Sequence, residues 1–327
     1  MKLRSSFVGV LVFALLAAVG CGGSDEPATT AAADGGSGLE KTEITVGTMP
    51  VVDTAPLQMA IRDGFFKAEG LDVKLQTLAG GAEAIPKLKS GELDISFGNY
   101  VSFFSAASRG VIDLKIVADG FQSAPGSHVI MVPKDSPVQT PADLKGKKIA
   151  VNTKRNVASM LVRVAAKAHG VELDEDQNFV EFPFPEMEGV LKSGEVDAAQ
   201  VVEPFGTLIS QSIGARVIWD TSQGPTKDFP IAGYAAMADF AAENPKTVAA
   251  FQRAMSKAQA AAADRGKVVE IIPQYTTIKP DVASSLSIGG FPTTLEASRL
   301  QRVADSMREH GLLEQPLQVQ DLLVSAG

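Results

Sequence analysis

Side chains able to do covalent or metal chemistry are scarce in this chain. Cys21 is the only thiol among 327 residues, which excludes an internal disulfide and any multi-cysteine zinc or iron–sulfur site. His169 and His310 each precede a glycine at a predicted helix end, where an imidazolium meets the negative end of the helix dipole. His128 is isolated, with no cysteine, histidine or carboxylate at metal-ligand spacing. No nucleophile elbow, Walker A loop or dinucleotide fingerprint occurs, and the methionines are scattered as core filling. No cofactor or metal is therefore expected. With 30 basic against 38 acidic residues and a net charge of −8, the chain lacks the basic face that nucleic acid requires. A locally positive cleft for an anionic small ligand stays compatible with that balance.

The position of Cys21 carries more than its number. Lys2 and Arg4 precede an uncharged run from Phe7 to Gly20, too short for a membrane-spanning helix and suited to a signal-peptide core. The segment Leu16-Ala17-Ala18-Val19-Gly20-Cys21 resembles a bacterial lipobox, which implies cleavage after residue 20 and a diacylglycerol anchor on Cys21. A plain secretory signal cut nearby is the alternative. The small and polar residues that follow cannot pack, so 21–40 reads as a flexible tether.

From Lys41 the elements alternate. Ile44–Gly47 reads as a buried strand, and Leu57, Ala60, Ile61, Gly64, Phe65 and Ala68 recur at helical spacing, with Thr54 as cap and Pro56 in the first turn. Leu71–Leu78 and Leu93–Gly98 read as strands around a helix that stops at Ser90-Gly91. Lys148–Val151 then opens the same series again, followed by the stripe Val157, Met160, Leu161, Val164, Ala165 and Ala168. Two fragments recur in order: KAEGL at 67 against KAHGV at 167, and LKSGELD at 88 against LKSGEVD at 191. These repeats predict two α/β lobes of one plan, each a mainly parallel sheet flanked by helices. Thr140-Pro141-Ala142-Asp143 reads as a capped short helix, Val129–Pro133 as the strand leading into it, and Ile231–Met237 as the strand returning to the first lobe. Asn244-Pro245 begins a long helix to Asp264, and Thr293 with Glu296 forms a capping box for the last one. The expected division is 41–133 with 234–327 for the first lobe and 134–233 for the second.

In parallel sheets the strand ends that feed helices form the ligand edge. Six such loops follow: 49–55, 78–82, 98–102, 152–157, 183–187 and 203–206. Each opens a helix and brings free N–H groups to a cleft between the lobes.

The stretches ITVGTMPVVDTAPLQMAIRDGFFKAEGLDVKLQTLAGG, LKSGELDISFGNY, TPADLKGKKIAVN and VVEPF resemble the nitrate/sulfonate/taurine and thiamine-pyrimidine group of ABC-transporter substrate-binding proteins. The resemblance implies the type II periplasmic-binding fold, with two lobes hinged around a small organic solute that passes to permease subunits in the cytoplasmic membrane. It implies a non-enzymatic, monomeric protein held by lipid on the extracytoplasmic face. An exported enzyme or a ligand-sensing domain on the same fold is the alternative.

By the family pattern the ligand meets Val51, Asp53, Thr54 and Ala55, then the backbone of Gly80, Gly81 and Ala82, which could hold an anion. Asn99 and Tyr100 supply an amide and a phenol. Asn152, Thr153, Asn156 and Val157 stand at the equivalent loop of the second lobe, with Glu203, Pro204 and Phe205 at the other. Asp53 and Thr54 can also serve as helix caps, and Gly80-Gly81 as a plain turn. Glu203 either meets an amine on the ligand, favouring an aminopyrimidine or taurine over a simple anion, or pairs with Lys154 or Arg155.

Overall fold

The structure, a computed structural model, describes residues 38–324. The signal segment 1–20, Cys21 and most of the tether lie outside the described residues. Glu40, expected within the tether, is part of the fold: its carboxylate accepts from the N–H groups of Lys246 and Thr247, both at 3.0 Å. It thereby caps the helix Pro245–Ala261, whose own Asn244 makes no side-chain cap bond.

Among the described residues ten strands form two five-stranded sheets. The first sheet holds β1 (Glu43–Thr48), β2 (Asp72–Thr77), β3 (Ile95–Asn99) and β4 (Leu114–Gln122). The second holds β5 (His128–Val132), β6 (Ile149–Val151), β7 (Phe179–Glu181), β8 (Ala198–Val202) and β9 (Arg216–Asp220). Last comes β10 (Pro230–Met237), which belongs to the first sheet. The orders are β2-β1-β3-β10-β4 and β7-β6-β8-β5-β9. In each sheet three consecutive strands are parallel and the fourth position runs antiparallel to both neighbours, so four of the five strands point one way and each sheet is mainly parallel with one antiparallel strand. That fourth strand is the exchanged one in both. The chain therefore crosses between Gln122 and His128, upstream of the expected break at 133, and returns between Asp220 and Pro230.

The repeated fragments are structural equivalents. Gly91 and Gly194 each end a helix at φ +73° and +77°, a left-handed conformation glycine adopts without a Cβ clash. Three residues on, Asp94 and Asp197 each accept from the backbone that enters the neighbouring parallel strand, at Thr45 N and Lys148 N, both 2.9 Å. Each also pairs with a lysine, Lys41 at 2.7 Å and Lys147 at 3.3 Å. One Gly-Glu-apolar-Asp motif thus stops a helix and pins the start of the neighbouring parallel strand twice.

Other readings shift in detail. The helical stripe after β1 breaks into Ala55–Arg62 and Phe65–Ala68, because Gly64 sits at φ +73° between them. Thr140 and Asp143 do form their capping box. Thr293 and Glu296 do not: the last long helix runs Ala297–Glu309 without a side-chain cap, and Thr294 donates to Glu296 at 3.0 Å. Aromatic side chains fill the first sheet's core, with Phe97, Phe103, Phe104, Phe251, Tyr100 and Tyr234 fully buried. Gly233 of β10 makes room for one of them, since a Cβ there would stand 2.3 Å from the Tyr100 hydroxyl and 2.8 Å from the Ala118 carbonyl. Among the described residues no helix is long and apolar enough to cross a membrane.

Candidate ligand-binding cavity between the sheets

The strand ends of both sheets meet around a cavity of about 30 Å³. From the first sheet come Met49, Val51 and Asp53 after β1, Phe97 and Asn99 on β3, and Ile231 and Ala232 on β10. From the second come His128 on β5, Asn152, Val157 and Ala158 after β6, Phe184 before a helix, and Gln200 and Val202 on β8. A wider groove of about 1100 Å³ runs along Lys167, Arg302 and Arg308 on the outer surface and shares no lining residue with this cavity.

Asp53 is held by a trussed loop. The Thr54 hydroxyl donates to Met49 O at 2.8 Å and Val51 O at 3.1 Å, and the Tyr275 hydroxyl donates to Val51 O at 3.0 Å. Thr54 therefore ties the loop instead of capping the helix, and Ala55 packs into a cluster with Val268 and Ile272. Asp53 is 6% exposed, and no other described residue donates a hydrogen bond to its carboxyl. Burial without a counter-charge pushes it up to about 7, against a small opposing effect of its own N–H.

Asn99 caps the helix Tyr100–Ser108 by accepting from Ser102 N at 2.9 Å, which leaves its amide NH2 for the cavity. Asn156, expected at the ligand, caps the helix Val157–Ala168 by accepting from Ala158 N, and donates to the Asn152 carbonyl at 3.2 Å. Asn152 keeps its own NH2 free of that bond. The ring of His128 has Nδ1 3.1 Å from the Ser127 hydroxyl, and burial pulls its pKa down to about 3, so it is a neutral imidazole at physiological pH.

Of the expected site residues, Val51, Asp53, Asn99, Asn152 and Val157 line the cavity. Gly80, ahead of the helix Gly81–Ser90 on which Ala82 also stands, faces Thr153 and Asn152 across the junction without lining the cavity: a Cβ on it would lie 3.1 Å from the Thr153 hydroxyl. Phe205 stacks on Phe184 at 5.4 Å, one layer behind the cavity, and Pro204 accepts from Leu208 N at the start of the next helix.

Tyr100 is a correction. It follows Asn99 directly, yet it points into the core, stacks on Phe104 and donates to Asp119 at 2.7 Å, where Arg299 pairs with the same carboxylate. Tyr100→Phe is expected to leave ligand affinity unchanged and to cost about 1–2 kcal/mol of stability by removing one bond to a buried carboxylate. A titration and a urea melt check this; weakened binding without lost stability would return Tyr100 to the ligand.

Glu203 is the second correction. Its carboxylate accepts from Thr207 N at 3.0 Å, the Thr207 hydroxyl at 2.9 Å and Ser287 N at 3.2 Å, while its carbonyl accepts from Val52 N at 3.1 Å. Ser287 and Val52 belong with the first sheet, so Glu203 clasps the two sides together. Lys154 and Arg155 do not reach it; Arg155 pairs with Asp176 at 2.9 Å, and Lys154 N donates to Glu181. The carboxyl at the cavity is Asp53.

Several lining residues had no sequence-level assignment. Gln200 interrupts the apolar run Ala-Ala-Gln-Val-Val on a fully buried strand, a break in pattern that marks it. His128 stands at a crossing whose position the sequence does not display. His169 and His310 do stand at helix C-termini, although burial, the larger effect, lowers the His310 pKa.

Two α/β sheets with exchanged fourth strands and a polar-lined cavity at their junction define the two-lobed type II periplasmic-binding fold. The chain belongs to the NMT1-like family, whose model matches residues 37–272. It is 24% identical over 254 residues to the nitrate/nitrite binding protein NrtA of a Nostoc species, covering 72% of this chain and 57% of that protein. It is 26% identical over 206 residues to the nitrate import ATP-binding protein NrtC of a Synechocystis species, covering 58% of this chain and 31% of that one. The chain thus spans about a third to just over half the length of these relatives. The alkanesulfonate-binding protein SsuA of Xanthomonas axonopodis pv. citri, solved bound to MOPS, has the same fold: TM-score 0.73 at 18% identity, over 87% of this chain and 99% of that one.

Proposed function

We propose that this protein is the solute-binding component of an ABC importer, that a small organic solute binds in the cavity around Asp53, and that closure of the two lobes reports occupancy to the permease. In this reading each sheet with its helices is one lobe, and the two crossings at 123–127 and 221–229 are the hinge. The protein acts as a monomer outside the cytoplasmic membrane, tethered through diacylglycerol on Cys21, and catalyses no reaction. The observation that carries the reading is the cavity itself: residues from both sheets contribute polar side chains to one small space. A neutral His128 with pKa about 3 is a poor general base near neutral pH, which agrees with a binding role.

The reading is tested on the full chain by a thermal-shift screen of nitrate, sulfonates, taurine, aminopyrimidines and small amines, with X-ray scattering on each hit. A true ligand at about a hundred times its Kd adds about 2.7 kcal/mol and reduces the radius of gyration. A screen in which nothing both stabilises and compacts the protein, with no small molecule co-purifying by mass spectrometry, overturns it.

A further inference from the structure

The chemical class of the ligand follows from which polar groups at the cavity lack partners, an inference that rests on the binding reading above. One acceptor at the cavity is unmatched, and another is bonded only within its own residue. The Asp53 carboxyl receives no bond from another described residue. Gln200, 1% exposed, donates through Nε2 to Val201 O at 3.3 Å, and its Oε1 has no partner. A buried acceptor without a donor costs free energy that a ligand N–H recovers on binding.

The positive groups that would neutralise an oxoanion are missing from the same space. Neither lysine nor arginine is among the described residues that line it, and His128 is uncharged. The helix start at Gly81 does not line the cavity, and Ala79 N next to it already donates to the Glu83 carboxylate at 2.9 Å. An anion placed beside Asp53 would meet a like charge in a poorly solvated space, whereas a cation would compensate that carboxylate where water does not. Phe97 and Phe184 supply apolar and aromatic surface for the body of such a molecule.

We propose that the cavity takes an organic cation, an ammonium, amidinium or guanidinium group held between Asp53 and Gln200, in contrast to the nitrate and alkanesulfonate named for its relatives. The free NH2 groups of Asn99 and Asn152 then serve an acceptor elsewhere on the same solute.

Calorimetric titration of the full chain at pH 8 and constant ionic strength tests this with shape-matched pairs. The probes are guanidinium against nitrate, methylammonium against methanesulfonate, and benzamidinium against benzoate. At least one cation is expected to bind ten-fold or more tightly than its paired anion. Asp53→Asn should lose that affinity by ten-fold or more without a lower melting temperature, and Gln200→Leu should weaken it in the same direction. An anion that binds as well as its paired cation, with compaction, overturns the cation assignment while the binding-protein reading stands. Cation binding that survives Asp53→Asn, or no binding of any probe, also overturns it, and the reading above then answers to its own screen.

Discussion

Asp53→Asn is expected to make the ligand-free protein more stable at pH 8 by up to about 4 kcal/mol, and the gain should vanish as the pH falls towards 4. The folded carboxyl titrates near 7 because burial disfavours its charge, whereas the unfolded one titrates near 3.8. A raised folded pKa means that the proton favours the native state. Its contribution is fully present below about 3.8 and is lost as the pH rises through about 7, so at pH 8 the wild type carries a buried unpaired charge that asparagine lacks. The groups around it do not offset this: Tyr234 and Tyr275 are themselves driven upward by burial, and His128 stays neutral.

His128 supplies a second signature. Its folded pKa near 3, against 6.5 unfolded, gives stability that is present above about 6.5 and lost as the pH falls. Between about 4 and 6.5 the two slopes oppose each other in the wild type, and in Asp53→Asn the His128 slope stands alone. Urea melts from pH 4 to 8 read both effects; equal profiles for wild type and variant would place Asp53 in solvent. A site residue whose removal stabilises the fold is a group kept for binding.

Glu203→Ala is expected to cost about 2–4 kcal/mol and to shift the scattering envelope of the ligand-free protein towards a more extended form. Three donors lose their acceptor at once, the Thr207 N–H, the Thr207 hydroxyl and the Ser287 N–H. The last reaches across from the first sheet's side, so its loss removes a tie between the lobes as well as a buried acceptor. Glu203→Gln retains the shape and one acceptor oxygen, and it should fall between wild type and alanine in both measurements. A Glu203→Ala protein that melts and scatters like wild type would show that the clasp contributes nothing.

Much of the architecture was legible because local signals and tertiary roles coincide. Gly91 and Gly194 stop helices by backbone geometry alone, and Asp94 and Asp197 follow at the same spacing to pin the neighbouring parallel strand. The Thr140 capping box forms within four residues and needs no distant partner. What escaped the sequence depends on distant partners. The return of Ile231–Met237 to the first sheet is legible in the sequence, but the antiparallel direction of β5 and β10 is set by the distant strands each joins and has no local signal. Asn99 and Tyr100 are adjacent and each carries a hydrogen-bonding group, yet one lines the cavity and the other the core, where Asp119 on β4 and the distant Arg299 receive the phenol. Glu203 and Asp53 could each have been the carboxyl at the ligand. The donors at Thr207 and Ser287 that engage Glu203 become visible only in three dimensions.

The place of β10 governs the order in which the protein can be completed as it is synthesised. It sits between β3 and β4 in the first sheet and is the last strand in chain order among the described residues. All five strands of the second sheet lie between residues 128 and 220, so that sheet has every partner before β10 exists. At that stage β4, Leu114–Gln122, has no neighbouring strand, because its only strand partner is β10. A nascent chain of this protein therefore carries a finished insert inside an unfinished host, with one long apolar strand open at both edges. The final hundred residues do more than append helices: they deliver the strand that closes the first half of the molecule.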